Sequence, residues 1–160
     1  MNEEKTYTEA EAHRHFAVKF NGITWALLDK ADRTPAEDEL MLYSAFASCR
    51  HWLESGTGVH HQRGEWLIAR VYAVLSMGEA AVRHARRCLE LTEKYTHEVE
   101  DFDRAYAYEA MARANAVAGN REEALHYIGL AEKAGQAIAN DENRAIFLGD
   151  FNGGEWRGLR

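Results

Sequence analysis

Apolar residues in this chain recur at the three- and four-residue spacings of a helix face. Phe16, Phe20, Ile23 and Leu27 follow one another at four, three and four residues, which predicts one side of an α-helix. Trp25 and Leu28 widen the stripe. Thr8, with Glu11 three residues on, predicts its start as a capping box. Gly22 lies inside it, lowers its intrinsic stability by about 1 kcal/mol and predicts a place where another backbone comes close. Asp32-Arg33-Thr34-Pro35 is the clearest break. Thr34 can cap the next helix, Pro35 suits its first position and Glu37 completes a second capping box. That helix runs through Leu53 and carries Leu40, Met41, Phe46, Ala47, Cys49 and Trp52. It is apolar most of the way round, which predicts the most buried helix.

Gly56 is the expected C-terminal cap of that helix. A third helix is predicted from about His61 to Met77, and Gly78 marks a tight turn. A fourth is expected over Glu79 to about Tyr95, a fifth over Asp101 to Ala118 and a sixth from Arg121 to about Ala139. Gly119-Asn120 separates the last two, so the alanine-rich stretch from Ala110 to Gly135 reads as two helices folded back on each other. Asp141 caps a short seventh helix with Ile146 and Phe147 turned inward. The pattern predicts one all-α domain over residues 1–160: a first hairpin over 8–55, hairpins over 61–95 and 101–139, and a capping helix with a glycine-rich tail over 140–160.

Composition agrees with a helical reading. The chain has 160 residues with a single proline, 46% hydrophobic and 28% charged residues, a globular balance. Its formal net charge of −7 opposes general nucleic-acid binding, which needs a basic field. No apolar run approaches about 18 residues, so no membrane span is expected. The polar, acidic N-terminus lacks the apolar core of a signal peptide, and a cytoplasmic location follows as the expectation. Cys49 and Cys88 are far apart and read as small buried residues rather than a disulfide.

The two later hairpins align with each other at a constant offset. Ala124 falls on Ala81, Leu125 on Val82 and Ala131 on Cys88, each 43 residues apart. Met111 likewise falls on Ile68, Ala112 on Ala69 and Arg113 on Arg70, while Asn115 on Tyr72 and Ile128 on Ala85 are mismatched in size. Tyr108, Met111-Ala112 and Asn115, followed by Ala124, Ile128 and Ala131, form a pattern that resembles the tetratricopeptide repeat (TPR), a helix–turn–helix unit of about 34 residues. The earlier copy reads Glu65, Ile68-Ala69, Tyr72, Ala81, Ala85 and Cys88. Glu65, Asn115 and Ala85 depart from the family's bulky positions, the offset is longer than its repeat, and its closing proline is missing.

The resemblance implies stacked antiparallel hairpins in a short right-handed superhelix. The first helix of each hairpin would line a concave face that binds a peptide or partner protein, without enzymatic activity and without a cofactor. On that implication Arg63, Trp66, Arg70 and Val74 face the groove from one hairpin, and Tyr106, Glu109, Arg113 and Val117 from the other. Arg70 and Arg113 would then grip a carboxylate bidentately, favouring an acidic or C-terminal peptide. Alternatively both pair with local acids such as Glu65, Glu109 or Asp103. Phe151 and Trp156 lie among the glycines of the tail, which predicts that the tail covers one end of the stack. The other readings are a tail that reaches into a second copy, and a groove filled by the tail or by a sister chain in a homodimer.

Chemistry by motif is sparse. The eight histidines form neither an HExxH nor a His-x-x-x-His pair. Glu123 and His126 make a single Glu-x-x-His, where a di-iron bundle needs two copies and further glutamates. A metal-dependent helical-bundle enzyme using His and Glu ligands is therefore the alternative reading rather than the first. Glycine-rich phosphate loops and nucleophile elbows are absent. Ser44 and Ser48 read as a packing seam, and the acids Glu98, Glu100, Asp101 and Asp103 as complements to a helix dipole.

Overall fold

The computed structural model describes residues 4–160, and among them every regular element is a helix. The seven are α1 (Glu9–Leu28), α2 (Pro35–Ser55), α3 (Gly58–Val74), α4 (Gly78–Lys94), α5 (Asp101–Ala118), α6 (Arg121–Gln136) and α7 (Asp141–Asn152). The all-α expectation with about seven helices holds. None of the helices is long and apolar enough to cross a membrane.

Local chemistry sets the boundaries. Thr8 accepts from the Glu11 amide while Glu11 accepts from the Thr8 amide at 2.8 Å, and Thr34 and Glu37 repeat the exchange at the start of α2. Gly119 ends α5 at φ +80°, a left-handed conformation that a side chain would strain. The Asn120 amide then closes back on the Asn115 carbonyl at 2.9 Å. The α3–α4 turn borrows left-handed geometry from Ser76 instead, at φ +59°. Gly78 itself serves contact: a Cβ built there would stand 2.5 Å from Ala118 Cα, so it lets the start of α4 meet the end of α5.

Consecutive helices pair, α1 with α2, α3 with α4 and α5 with α6. The pairs join through α2 against α3 and through α5 against both α3 and α4, and α7 packs on α5 and α6. Three adjoining apolar clusters follow: Met41, Ala45 and Cys49 with Leu67, Ile68 and Val71; Ala69, Ala81 and Ala85 with Ala110, Met111 and Ala114; and Ala105, Ala112 and Ile128 with Phe147, Phe151 and Trp156.

Burial corrects four expectations. The most buried helix is α5, with eleven of its 18 residues inside, not α2, whose Leu40 and Phe46 are exposed. Residue type alone could not show that α5 has neighbours on α3, α4, α6 and α7. In α1 the buried positions are Ala17 and Thr24 rather than Phe16, because small residues allow α2 to approach and Ser48 Oγ to donate to the Ala17 carbonyl at 2.8 Å. Ile146 is exposed while its neighbour Phe147 is fully buried. Gly22 faces open space, with nothing near a Cβ built on it.

The two glycines therefore predict opposite responses. Gly78→Ala forces a methyl group against backbone and costs about 1–3 kcal/mol. Gly22→Ala meets nothing, and in a helix interior it adds about 0.5–1 kcal/mol. Urea midpoints of the two variants measure both.

A second prediction concerns acid. His51 of α2 meets His13 of α1, Nδ1 to Nδ1 at 2.9 Å, and its ring stacks on Phe20. One of these nitrogens must be bare for the other to donate. Loss of water lowers the His51 ring below its ordinary 6.5, and the charges of His13 and Arg50 push the same way. The unfolded chain thus takes up this proton first as pH falls, so the contribution is intact above about 6.5 and is lost below it. Thermal melts between about pH 7.5 and about pH 5.5 should show a falling midpoint, and His51→Phe should flatten that slope.

Candidate functional site

The odd-numbered helices share one face. Asn21 and Trp25 of α1, Gln62, Arg63, Trp66 and Leu67 of α3, Phe102, Asp103 and Tyr106 of α5, and Ile146 and Asp150 of α7 enclose a groove of about 430 Å³. No residue after Asp150 lines it.

Aromatic rings form its spine. Trp25 stacks on Trp66 with centroids 5.7 Å apart, and Trp66 meets the edge of Tyr106 at 5.5 Å. The line continues beneath α7, from Tyr106 to Phe147 at 4.9 Å, on to Phe151 and then to Trp156. Offset and edge-on pairs of this kind add about 0.5–1.5 kcal/mol each beyond their buried area. The Tyr106 hydroxyl donates to the Asp150 carboxylate, and burial followed by that bond raises the phenol well above its ordinary value, so it stays a donor.

Two polar groups in this wall lack partners. Trp66 Nε1–H and Gln62 Oε1 are buried and find no hydrogen-bond partner among the described residues. The amide nitrogen of Gln62 is engaged, donating to Thr92 Oγ1 at 2.9 Å, so only its acceptor side is open. Gln62 and Trp66 are four residues apart and neighbours on one face of α3. An unmet buried donor or acceptor costs about 1–3 kcal/mol.

The charged residues expected at the groove have more internal roles. Arg63 holds Asp103 with two hydrogen bonds of 2.8 and 2.9 Å, and those bonds raise its already high basicity. Asp103 also accepts from the Glu100 amide, capping α5. Arg113 and Glu109 are 5% and 3% exposed and bonded to each other inside the protein. Arg113 donates further to the carbonyls of Asp150 and Gly153, at 2.8 and 2.9 Å, and lies 4.1 Å over the Trp156 ring. Burial lowers its guanidinium against the pull of Glu109, although an arginine stays charged at any ordinary pH. Arg70 sits 3.9 Å from the same Glu109 carboxylate and is one-third exposed.

The pairing of Arg70 and Arg113 with a local acid is therefore what the geometry holds, and the acid is Glu109. Both guanidiniums border one small cleft of about 260 Å³, Arg70 partly exposed and Arg113 buried beneath the tail. Trp66 and Tyr106 meet in the groove, with Arg63 at its rim, whereas Val74 is exposed and lines the small cleft with Val117. The tail covers Arg113: Trp156 is buried, its indole donates to the Phe151 carbonyl at 3.1 Å, and Arg157 reaches Ser76 Oγ in the α3–α4 turn at 2.8 Å. Sequence reasoning missed Trp25, Gln62 and Phe102 as groove residues. Trp25, a large aromatic residue at the edge of the apolar stripe of α1, was the available signal.

Arg113→Ala leaves Glu109 buried with only the distant Arg70 for company, and should cost about 3–5 kcal/mol. Arg70→Ala, at the edge of the same cluster, should cost less than about 1 kcal/mol. Denaturant melts of both variants check the contrast.

Comparison of the chain with family models, with curated proteins and with solved structures finds no match in any of the three.

Proposed function

We propose that this chain is a non-enzymatic protein-interaction module, a short TPR-like array of helical hairpins. Its groove between α1, α3, α5 and α7 receives an apolar segment of a partner protein. The observation that carries this reading is the aromatic wall itself, Trp25 stacked on Trp66 with Tyr106 edge-on to it, lining one groove across four helices. Trp25, Trp66 and Phe102 supply the apolar surface for a side chain of the bound segment. Rigid aromatic anchors of this kind carry most of the energy in protein interfaces.

Two further features support the array. Four of the aligned pairs 43 residues apart share their burial: Ala81 with Ala124, Cys88 with Ala131, Ile68 with Met111 and Ala69 with Ala112 are all inside, whereas Leu125 is exposed and Arg70 half-buried opposite buried Arg113. The groove is lined by the first helix of each hairpin, the side that binds partners in proteins of the resembled family. An acidic partner fits less well than an apolar one, because Arg113 is enclosed by the tail and Arg63 is held by Asp103.

Selection from a displayed peptide library against the full chain tests the proposal. Peptides sharing an aliphatic or aromatic anchor should emerge, and Trp25→Ala should weaken them at least about 10-fold while helical content is kept. Trp66→Phe, which keeps an aromatic surface in the wall, should weaken them less. A library that yields no such peptides, peptides indifferent to Trp25, or a Trp25→Ala variant that instead disrupts a homodimer would overturn it.

A further inference from the structure

A second cluster occupies the opposite flank of α3, toward α2 and α4. Cys49 of α2 with His61 and Glu65 of α3 brings a sulfur, a ring nitrogen and a carboxylate oxygen within 4.8 Å of one another. His61 and Glu65 are one helical turn apart, Nε2 to Oε1 at 3.6 Å. Cys49 comes this close because residue 64 is glycine: a Cβ there would stand 2.8 Å from Sγ. The second oxygen of Glu65 is held by His84 Nδ1 of α4 at 2.6 Å. His84 is in turn fixed by Tyr72, stacked at 5.6 Å, and by the edge of Phe46 at 5.4 Å. Glu65 and His84 both border an open cleft of about 960 Å³ along α4, so the cluster has a path to solvent.

We propose that Cys49, His61 and Glu65 form a binding site for a thiophilic divalent cation of the zinc class, with His84 orienting the Glu65 carboxylate. Thiolate, imidazole and carboxylate together are a zinc donor set, and three protein ligands leave one position for water. Zinc–ligand bonds of about 2.0–2.3 Å put tetrahedral donors roughly 3.3–3.8 Å apart. The cluster therefore closes by roughly 1 Å on binding, within reach of side-chain rotation. A ligand carboxylate with its other oxygen hydrogen-bonded is the usual outer support of such sites. On binding, the cation takes the Cys49 sulfur as thiolate and its proton leaves to solvent. His61 and Glu65 are an i, i+4 pair, a mixed spacing that no histidine–histidine motif contains. Nothing in this site depends on the groove, whose residues come from the other flank of α3.

The test uses the untagged full chain, stripped with chelator, given zinc and desalted. About one zinc per chain should remain, with a raised thermal midpoint. Cobalt should give a thiolate charge-transfer band that Cys49→Ser loses and Cys88→Ser keeps. His61→Gln and Glu65→Gln should weaken zinc at least about 100-fold and His84→Gln about 10-fold, while Trp25→Ala changes nothing. Circular dichroism checks folding, and the His61→Gln variant, altered at a half-buried position, stands in if Cys49→Ser does not fold. Wild-type chain that retains no zinc, or folded His61→Gln and Glu65→Gln variants that bind as tightly as wild type, would overturn the proposal.

Discussion

A helix surrounded on nearly every side must satisfy its own charges, and α5 is that helix. It carries Asp103, Glu109, Arg113 and Asn115 at buried positions. An unpaired buried ion costs several kcal/mol even after relaxation, so each of these groups needs a partner brought from elsewhere. Arg63 of α3 answers Asp103, Arg113 answers Glu109, and Asn115 donates to the Met111 carbonyl and accepts from Asn120. Much of the remaining architecture completes that set. The spaces between these polar groups are filled by alanines, which let α3, α4 and α6 come close.

The tail follows from the same requirement. Arg113 has five N–H donors, and Glu109 cannot take them all. Carbonyls of Asp150 and Gly153 accept two more, both from Nη2, with the Trp156 ring laid on the guanidinium face. The glycines permit this approach: Gly154, at φ +74°, lies so close to Arg113 that a Cβ would meet Nη1 at 2.8 Å. A segment that looked irregular in composition is therefore a lid on a buried charge. The lid leaves the aromatic groove clear, because the chain passes Asp150 on the groove's edge and then turns away.

The two flanks of α3 separate two chemistries. Trp66 and Gln62 border an aromatic groove, and His61 and Glu65 face a cluster of soft and hard donors. Positions four apart on a helix share a face, and a shift of one residue turns that face by about 100°. A single helix can serve both without either intruding on the other.

Much of the scaffold was legible in the chain itself. The Thr8–Glu11 and Thr34–Glu37 boxes, the Gly119-Asn120 turn and the seven helices depend on contacts within a few residues, and short-range chemistry of that kind is written in order along the sequence. Trp66 and Tyr106 were expected at a groove only through the repeat family the pattern resembles, and both line one. What depends on contacts between distant segments was not. Whether α2 or α5 is most buried is decided by how many neighbours each helix gains. Whether Arg113 faces a partner or its own tail is decided by residues 37 and 40 positions away. Cys49, His61, Glu65 and His84 come from three helices, and only packing sets them side by side. Sequence alone determined the helices and their turns, because hydrogen bonds to near neighbours do so. Tertiary structure alone decided which faces meet, because burial is a property of the assembled chain.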